Sequence, residues 1–278
     1  MKSVIKNAMT IDVEDYFHVS AFENHIQKSQ WDSLPLRVEA NTDRLLELFD
    51  SKGVLATFFI LGWVAERCPQ LVKRIHQAGH EVASHGYNHG RATEQSRDEF
   101  LDDVKRSKAL LEELTGHEVT GYRAPSFSVN TKNEWVFDVL KELGFSYSSS
   151  TYPVQHDLYG VPEWPRFKHL KENGLVEIPL TTLQFSGKNL PIAGGGYFRL
   201  YPYAFSRWFY RKFHQDEAKP GIFYMHPWEI DPNQPRQTEV SFKSSFRHYL
   251  NLSRQMERLS RLLDDFQWGR MDQVFGIV

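Results

Sequence analysis

The chain centres on one segment, Gly79-His80-Glu81-Val82-Ala83-Ser84-His85-Gly86-Tyr87-Asn88-His89. Residues 81–84 are predicted to form a short buried strand, and His85 and His89 follow where that strand should end. If residues 86–89 make one helical turn, both imidazoles lie on the same side, about one turn apart. Two histidines at this spacing can bind one metal ion together with a third ligand. The alternative is a polar loop in which both histidines hydrogen-bond to neighbours, because His-x-x-x-His is a weak pattern alone.

The sequence on both sides of this segment alternates between strand and helix patterns. Apolar and β-branched runs predict further strands at residues 4–13, 55–61, 119–122, 147–150, 175–182 and 222–225. Helices are predicted at residues 38–52, 69–79, 96–116 and 135–143, with a backbone-permissive loop at 194–199. The apolar stripe from Tyr249 to Phe266 is expected to pack against the body, with a partner helix as the alternative. The alternation predicts an α/β fold with a parallel sheet covered by helices.

Length and composition fit a single domain of residues 1–278, with a helical extension from about residue 240. The chain has 278 residues, of which 41% are hydrophobic, so it can bury a large core. Its formal net charge is -2 with acidic and basic residues mixed, which argues against nucleic-acid binding. Its single cysteine, Cys68, excludes an internal disulfide and a cysteine-rich zinc site. No apolar run has the length of a signal or a membrane span, so a cytoplasmic location is the default expectation.

Polar residues directly follow several of the predicted strands. They are Asp12, Glu14 and Asp15 after the first strand, His85 and His89 after the third, Arg123 after the fourth, and His226 after the last. In closed α/β barrels, the loops after the carboxyl ends of the strands build the active site. Strands that are distant in sequence would therefore bring these groups to one pocket.

The chemistry of these side chains is complementary. Two histidines and one carboxylate can hold a divalent ion and leave positions open for water and substrate. A second carboxylate can accept a proton from that water, and a separate histidine can protonate a leaving group. Arg123 can orient the base carboxylate through a bidentate pair. Each group also has a plainer interpretation: a structural salt bridge for Arg123, a core histidine for His226, and a solvated loop for the carboxylates.

Longer segments around these residues carry a family resemblance. They are Thr10-Ile11-Asp12-Val13-Glu14-Asp15-Tyr16-Phe17, Ala56-Thr57-Phe58-Phe59, residues 79–89, Gly121-Tyr122-Arg123-Ala124-Pro125-Ser126-Phe127, residues 194–199 and His226-Pro227-Trp228-Glu229-Ile230-Asp231-Pro232. Together they resemble the polysaccharide deacetylases with a NodB-homology domain, also called carbohydrate esterase family 4. The sequence looks closest to the bacterial branch associated with exopolysaccharide and exosortase loci, which is related to allantoinase-like and peptidoglycan-deacetylase-like members. Each segment is weak alone, but the set runs nearly end to end and is highly specific.

This resemblance implies a distorted (β/α)7 barrel of the NodB-homology type. It also implies hydrolysis of N-acetyl groups from sugars, with zinc or a similar divalent metal. Carried over by position, Asp12 matches the catalytic base and Arg123 matches the residue that holds this base. The backbone N–H of Ser126 matches an oxyanion donor, and His226 matches the general acid.

The sequence departs from the family pattern in two places: the carboxylate ligand of the metal, and the residue that polarises the general acid His226. His85 and His89 match the two metal histidines. The family usually has adjacent aspartates, base and then ligand, but here a valine follows the base. The third ligand is therefore either Glu14 or Asp15, and the sequence does not separate them. Many members also have an aspartate that polarises the acid histidine, and the candidates for this role here are Glu229 and Asp231.

The sequence thus predicts a metal-dependent hydrolase that removes N-acetyl groups from an N-acetylated sugar of a surface or extracellular polysaccharide, or its precursor. One alternative is a ureide or cyclic-amide hydrolase of the allantoinase-like branch. A second is a catalytically silent carbohydrate-binding protein, although binding alone does not require both Asp12 and His226. Non-haem iron oxygenases use similar ligands, but their sites usually sit in antiparallel jelly rolls. The sugar, its linkage, the native metal and the oligomeric state stay open.

Substrate selectivity is expected to come from two long connections outside the metal centre. Aromatic faces there can stack on a sugar, and arginines can bind a carboxylate or phosphate. The candidate substrate-binding residues are Tyr159, Trp164, Arg166, Tyr197 and Arg199. The triple glycine at residues 194–196 would let the backbone lie close to a bound ring. The alternative is that both connections simply cover the barrel.

Overall fold

The computed structural model describes residues 5–156, 160–238 and 240–277. Its strands are β1 (Lys6–Val13), β2 (Thr57–Ile60), β3 (Glu81–Ser84), β4 (Gly121–Tyr122), β5 (Tyr147–Ser148), β6 (His169–Leu170), β7 (Val176–Glu177), β8 (Thr182–Phe185), β9 (Lys188–Pro191), β10 (Ile222–Met225) and β11 (Gln267–Gly269). Its helices are α1 (Val38–Lys52), α2 (Gly62–Arg67), α3 (Pro69–Gln77), α4 (Arg97–Thr115), α5 (Trp135–Glu142), α6 (Gly195–Leu200), α7 (Tyr203–Glu217), α8 (Phe242–Tyr249), α9 (Leu252–Asp265) and α10 (Met271–Val274). Short 3-10 turns lie at Ser20–Phe22, Lys28–Ser33, Pro125–Phe127 and Pro227–Ile230.

One curled sheet organises the molecule. Its strand order is β10-β1-β2-β3-β4-β5-β7-β6, and β11 pairs with the start of β1. Seven strands run parallel along this path, namely β10, β1, β2, β3, β4, β5 and β7, and β6 pairs antiparallel to β7. Strands β7 and β10 do not pair with each other. The segment after β7 contacts β10 through a side chain, because the backbone N–H of Ile222 donates to Oγ1 of Thr181 at 2.6 Å. The predicted α/β fold with a mainly parallel sheet is confirmed.

Local sequence signals set the helix ends. Helix α1 stops at Gly53, whose φ of 61° is a left-handed conformation that side chains disfavour. Helix α4 starts at the predicted capping box, in which Ser96 and Glu99 satisfy each other's backbone N–H groups. The stripe on α9 packs against the body as expected, with Leu252, Leu259 and Leu263 buried. No helix in the described ranges has the length and apolarity that a bilayer crossing requires.

Helix α2 was not predicted, and further differences between prediction and structure lie after β5. The single strand expected at residues 175–182 is two strands, because β7 ends at Glu177 and β8 pairs with β9 in a separate hairpin. The loop expected at 194–199 forms helix α6. Helix α7 was not predicted, since its aromatic residues surround the helix, and Phe205 and Trp208 remain exposed while Tyr203 and Tyr210 are buried.

Candidate functional site

The carboxyl ends of β1, β3, β4 and β10 carry the residues that the sequence singled out. These strands include immediate neighbours: β1 lies between β10 and β2, and β3 lies between β2 and β4. Because they run parallel, their carboxyl ends share one edge of the sheet, and the segments that follow them meet there.

Glu14, His85 and His89 form the compact group at this edge. Oε1 of Glu14 lies 2.9 Å from Nε2 of His85 and 3.0 Å from Nε2 of His89. One ligand atom from each residue falls within 4.8 Å of the other two. Two imidazole nitrogens and one carboxylate oxygen are a donor set that suits zinc and similar divalent ions. The three residues therefore fit a metal site.

Neighbouring groups orient this cluster. Nδ1–H of His85 donates to the carbonyl oxygen of Arg123 at 2.8 Å, which leaves Nε2 of His85 as the ligand nitrogen. Burial alone would raise the pKa of Glu14. The charges of His89 and His226, together with the close contacts of the His85 and His89 imidazoles, instead hold this pKa well below its usual value. The carboxylate is thus kept ionised, as a ligand must be.

The segment between the two histidines is a turn, and the helical turn considered from the spacing is not formed. Gly86 and His89 both have positive φ, 75° and 51°. The intervening N–H groups of Tyr87 and Asn88 donate to the carboxylate of Asp103 on α4, at 2.6 and 3.0 Å. A left-handed conformation at a histidine is strained and needs such support. Helix α4 therefore holds the turn between His85 and His89 in shape.

Asp15 lies apart from the histidines and faces the start of α1. Its Oδ2 accepts hydrogen bonds from the backbone N–H groups of Arg37 at 2.6 Å and Val38 at 2.8 Å. These N–H groups have no partner within the helix, so Asp15 caps α1. The N–H of Asp15 in turn donates to Nδ1 of buried His18 at 2.8 Å. Of the two carboxylates that the sequence left open, only Glu14 contacts the histidines in the described residues.

Asp12 is held by Arg123. Nη1 of Arg123 donates to Oδ1 of Asp12 at 2.6 Å and to Oγ1 of Thr10 at 2.9 Å. The guanidinium also donates to the backbone oxygen and hydroxyl of Ser149, both at 3.2 Å, and packs 4.0 Å from the ring centroid of Phe59. Both partners are buried, so this ion pair has one fixed geometry. The contact with Arg123 uses Oδ1 of Asp12 and not Oδ2.

Ser126 follows β4 in a strained turn. Ser126 and Phe127 have consecutive positive φ values of 56° and 49°, which cost energy in residues other than glycine. The hydroxyl of Ser126 lies 2.7 Å from the hydroxyl of Ser20, which ties this turn to the segment after β1. Backbone strain of this kind is concentrated at functional sites.

His226 begins a buried chain of charges. Its Nδ1 donates to Oε1 of Glu229 at 2.9 Å, and Nε of Arg199 donates to Oε2 of the same carboxylate at 2.8 Å. Burial lowers the pKa of His226, but the carboxylates of Glu14, Glu229 and Asp12 raise it to about 9. Burial raises the pKa of Glu229, and Arg199 and His226 bring it down to about 2. His226 is therefore protonated and Glu229 ionised near neutral pH.

The structure separates the two candidates for the partner of His226. Glu229 makes that contact, whereas Asp231 forms an ion pair with Arg37 and accepts from Asn41 at 3.2 Å. The spacing of three residues between His226 and Glu229 is a signal that the sequence offered, because one short helical turn brings such positions together. Arg199 had no such signal, since it lies 30 residues from Glu229.

Arg199 is not placed as a substrate-binding residue, contrary to the prediction. It is buried, and besides Glu229 it donates to the carbonyl oxygens of Arg247, His248 and Leu250 at 3.1, 2.8 and 2.9 Å. Gly195 is required for packing against Glu229 rather than for an approach to a sugar. A Cβ at Gly195 would lie 2.3 Å from Oε1 of Glu229, so the absence of a side chain allows this carboxylate to pack against α6.

The other predicted substrate-binding residues are scattered. Trp164 packs near Phe137 of α5 with ring centroids 6.2 Å apart. Arg166 pairs with Glu217 at 2.8 Å and donates to Thr182, which is a structural arrangement. Tyr197 is half-buried and lines a cleft together with Tyr224 of β10. Tyr159 lies outside the described residues. Among the members of the set that the structure describes, Tyr197 is the one that lines a cleft with Tyr224, close to His226.

Comparison with known proteins shows which families the two halves of the chain resemble. Residues 29–148 match the polysaccharide deacetylase family, and residues 149–276 match a domain of unknown function, DUF3473. A peptidoglycan deacetylase of Helicobacter pylori is 38% identical over 114 residues, which is 40% of this chain and 37% of that protein. The chain thus spans little more than a third of the length of this relative.

Solved structures share the fold across the whole chain. A protein of Mycobacterium smegmatis assigned to the polysaccharide deacetylases is 22% identical, covers 100% of this chain and 91% of its own, and has a TM-score of 0.61. A family 4 pseudoenzyme from Bacillus anthracis is 15% identical, covers 99% of this chain and 66% of its own, and has a TM-score of 0.51. At these identities the likeness concerns the fold alone. Residues 29–148 of the chain therefore form a polysaccharide deacetylase domain.

Proposed function

We propose that this protein is a metal-dependent deacetylase that hydrolyses N-acetyl groups on a sugar of a surface or extracellular polysaccharide, or its precursor. The observation that carries the proposal is the set of groups at one edge of the sheet. Three residues that fit a metal site, Asp12 held by Arg123, and His226 held by Glu229 lie together there. The names of similar proteins, among them the peptidoglycan deacetylase of Helicobacter pylori, support this reaction class.

The metal in this proposal is zinc or a related divalent ion. Glu14, His85 and His89 would hold it, and when bound it would polarise the acetamide carbonyl and lower the pKa of a water molecule. The fit rests on the donor set and on the orientation of His85 by the carbonyl of Arg123. Histidine and carboxylate ligands are typical of zinc sites, and a ligand histidine there commonly donates its other ring N–H to a carbonyl oxygen or a carboxylate.

The residues of the chain supply the proton transfers. Asp12, fixed by Arg123, accepts a proton from the attacking water. The N–H of Ser126 stabilises the negative charge that develops on the carbonyl oxygen. His226 then donates its proton to the departing amine of the sugar, with Nδ1 already bound to Glu229 and Nε2 left to act. Acetate and the free amino sugar are the products.

The two other functions make different demands on the same residues. A silent carbohydrate-binding protein has no need of a buried Arg199–Glu229–His226 chain that keeps an imidazole protonated. A ureide or cyclic-amide hydrolase could use the same metal site and acid. The decisive experiment supplies the metal-loaded protein with N-acetylglucosamine oligomers, nucleotide-linked N-acetyl sugars, peptidoglycan glycan and allantoin. We expect acetate from at least one acetylated sugar, and release of ureide products alone would reject the proposal.

Removal of the charge on Glu229 should shift the pH dependence of activity. The general acid acts in its protonated form, so activity falls as pH rises through the pKa of His226. Glu229 raises that pKa, and Glu229→Gln should therefore lower it and move the alkaline limb of kcat to lower pH by at least about one unit. Glu14 also raises the pKa of His226, and a metal ion bound to Glu14 would offset part of its charge. We therefore expect the alkaline limb of the wild-type enzyme to lie below pH 9.

The measurement is a pH profile of kcat for wild type and Glu229→Gln, with Glu217→Gln as a control. Glu217 pairs with Arg166 away from His226, so this control should keep the wild-type limb. A Glu229→Gln enzyme with reduced kcat but an unchanged alkaline limb would show that Glu229 only supports the fold.

A further inference from the structure

Helix α8 carries a row of exposed aromatic side chains. Phe242 is 86% exposed, and Phe246, one turn later, is 49% exposed. Their rings stack on each other with centroids 6.3 Å apart, whereas His248 of the same helix is buried. The helix therefore turns its aromatic row away from the body of the protein. Neighbouring large apolar side chains that stay exposed in this way mark a surface that contacts a partner or a membrane.

Leu200 extends this row onto α6. It is 48% exposed and lines one cleft together with Phe246, so the two side chains are neighbours. Nη1 of Arg199 donates to the carbonyl oxygens of Arg247 and Leu250 at 3.1 and 2.9 Å, which fixes the end of α8 against α6. The exposed residues of this region, called the α6–α8 surface below, are Leu200, Phe242, Lys243, Phe246 and Arg247.

The charge of the α6–α8 surface is positive. Lys243 and Arg247 lie four residues apart on α8, directly beside the aromatic row, and both are exposed. Neither side chain forms an ion pair with another residue that the structure describes. Helices α6 and α8 contain no aspartate or glutamate. The aromatic row is thus accompanied by two cations whose charges no neighbouring carboxylate on these helices neutralises.

The start of α9 adds further positive charge next to α6. Nη1 of Arg258 donates to the carbonyl oxygens of Phe198 and Tyr201 at 3.1 and 3.2 Å, so this part of α9 adjoins the end of α6. Arg254 lies one turn earlier on α9 and is exposed, and Glu257 is the single acidic residue among residues 252–261. This region is therefore basic, although the chain as a whole has a net charge of -2.

We infer that the α6–α8 surface docks on an anionic phospholipid bilayer. Phenylalanine and leucine side chains on an amphipathic helix enter the boundary between head groups and acyl chains, and lysine and arginine beside them bind anionic head groups. A second copy of this chain would bring the same positive charges together, which disfavours self-association through this surface. A neutral partner would leave the charges of Lys243 and Arg247 without counterparts. Anionic lipids satisfy both the apolar and the charged residues.

The α6–α8 surface lies close to the candidate active site. The ring of His226 stacks on Trp228 with centroids 5.3 Å apart, and Trp228 stacks on His248 of α8 at 4.2 Å. Docking would therefore hold the strand-end site near the bilayer. The docking itself does not depend on the proposed deacetylase function, because no catalytic group takes part in it.

The test is co-sedimentation of the full chain with vesicles of phosphatidylcholine, with or without phosphatidylglycerol. The apolar contribution is tested with Phe242→Ala and with the matched pair Leu200→Ala and Leu170→Ala. Leu170 is 68% exposed, but it lies on β6, at the other end of the sheet from β10, in a cleft with Glu134 and Glu172. Because these side chains are largely exposed, the melting temperatures of the variants should stay close to that of the wild type.

We expect the wild type to bind vesicles with phosphatidylglycerol and to bind phosphatidylcholine alone much more weakly. The double substitution Lys243→Gln and Arg247→Gln should weaken binding to the anionic vesicles about 25-fold, since one basic residue near the surface contributes about fivefold. Phe242→Ala and Leu200→Ala should each weaken it about tenfold through the loss of inserted apolar area. Leu170→Ala should leave binding unchanged.

The inference is overturned if the wild type does not bind the anionic vesicles, or if none of the substitutions on the α6–α8 surface weakens binding more than Leu170→Ala does. Sedimentation velocity without lipid provides a second criterion. A dimer that Phe242→Ala dissociates would overturn the inference in favour of self-association. Binding to soluble polyglutamate as tight as binding to the vesicles, and insensitive to Phe242→Ala, would overturn it in favour of an acidic protein partner.

Discussion

Asp12→Asn should retain the metal and lose about 100- to 10,000-fold in kcat, the range associated with general acid–base groups. Asparagine has nearly the same shape and can still accept a hydrogen bond from Arg123, so the surroundings of Arg123 should persist. It cannot accept a proton from water at neutral pH. The loss should therefore appear in kcat with little change in the affinity for the sugar.

The metal content of the Asp12→Asn variant distinguishes a general base at Asp12 from a metal ligand at Asp12. Elemental analysis of the purified variant should show the same metal equivalents as the wild type, because Asp12 contacts Arg123 and Glu14 contacts the histidines. The free energy of unfolding should change less than it does on replacing Arg123, which would leave a buried carboxylate unpaired. An Asp12→Asn protein that has lost its metal would show that Asp12 is a ligand and that our assignment of the base is wrong.

Glu14→Gln should nearly abolish metal binding, while the neighbouring Asp15→Asn should leave it intact. Both substitutions remove one negative charge without changing the size of the side chain, so they are matched. Glu14 supplies the oxygen that lies within 3.0 Å of both histidine nitrogens. We expect an affinity loss greater than about 100-fold, beyond the losses seen for residues that merely support ligands.

Asp15→Asn should instead reduce stability. Asp15 accepts three backbone N–H groups, two of them at the start of α1, and an amide has only one acceptor oxygen for them. The expected loss in the free energy of unfolding is about 1–3 kcal/mol. Metal titrations and denaturant unfolding of both variants test the pair. If Asp15→Asn emptied the site while Glu14→Gln retained the metal, the ligand would be Asp15.

Most of the fold could be predicted from local patterns. The strands that form the parallel sheet have apolar or β-branched runs, and α1 and α4 end at glycines where the sequence placed their ends. The prediction failed between residues 175 and 217, where short strands and an aromatic-rich helix lack a clear period. Periodicity is informative only where one face of an element is buried and the other exposed.

The sequence by itself determined which chemical groups stand at the strand ends. Parallel strands place their carboxyl ends side by side, so Asp12, His85, Arg123 and His226 had to meet once the alternation of strands and helices was recognised. Only the tertiary structure decided between Glu14 and Asp15, and between Glu229 and Asp231. The members of each pair have the same charge, and partners distant in sequence fix their directions, such as the start of α1 for Asp15.

Long-range contacts also explain why the sequence did not predict the position of Arg199. Nothing in its neighbourhood along the chain distinguishes an arginine that binds substrate from one that is buried. Its partners are a carboxylate 30 residues later and carbonyl groups about 50 residues later, which approach only when β10, α6 and α8 have packed. Side-chain types are local properties of a sequence, whereas the direction and burial of a charged group depend on long-range contacts.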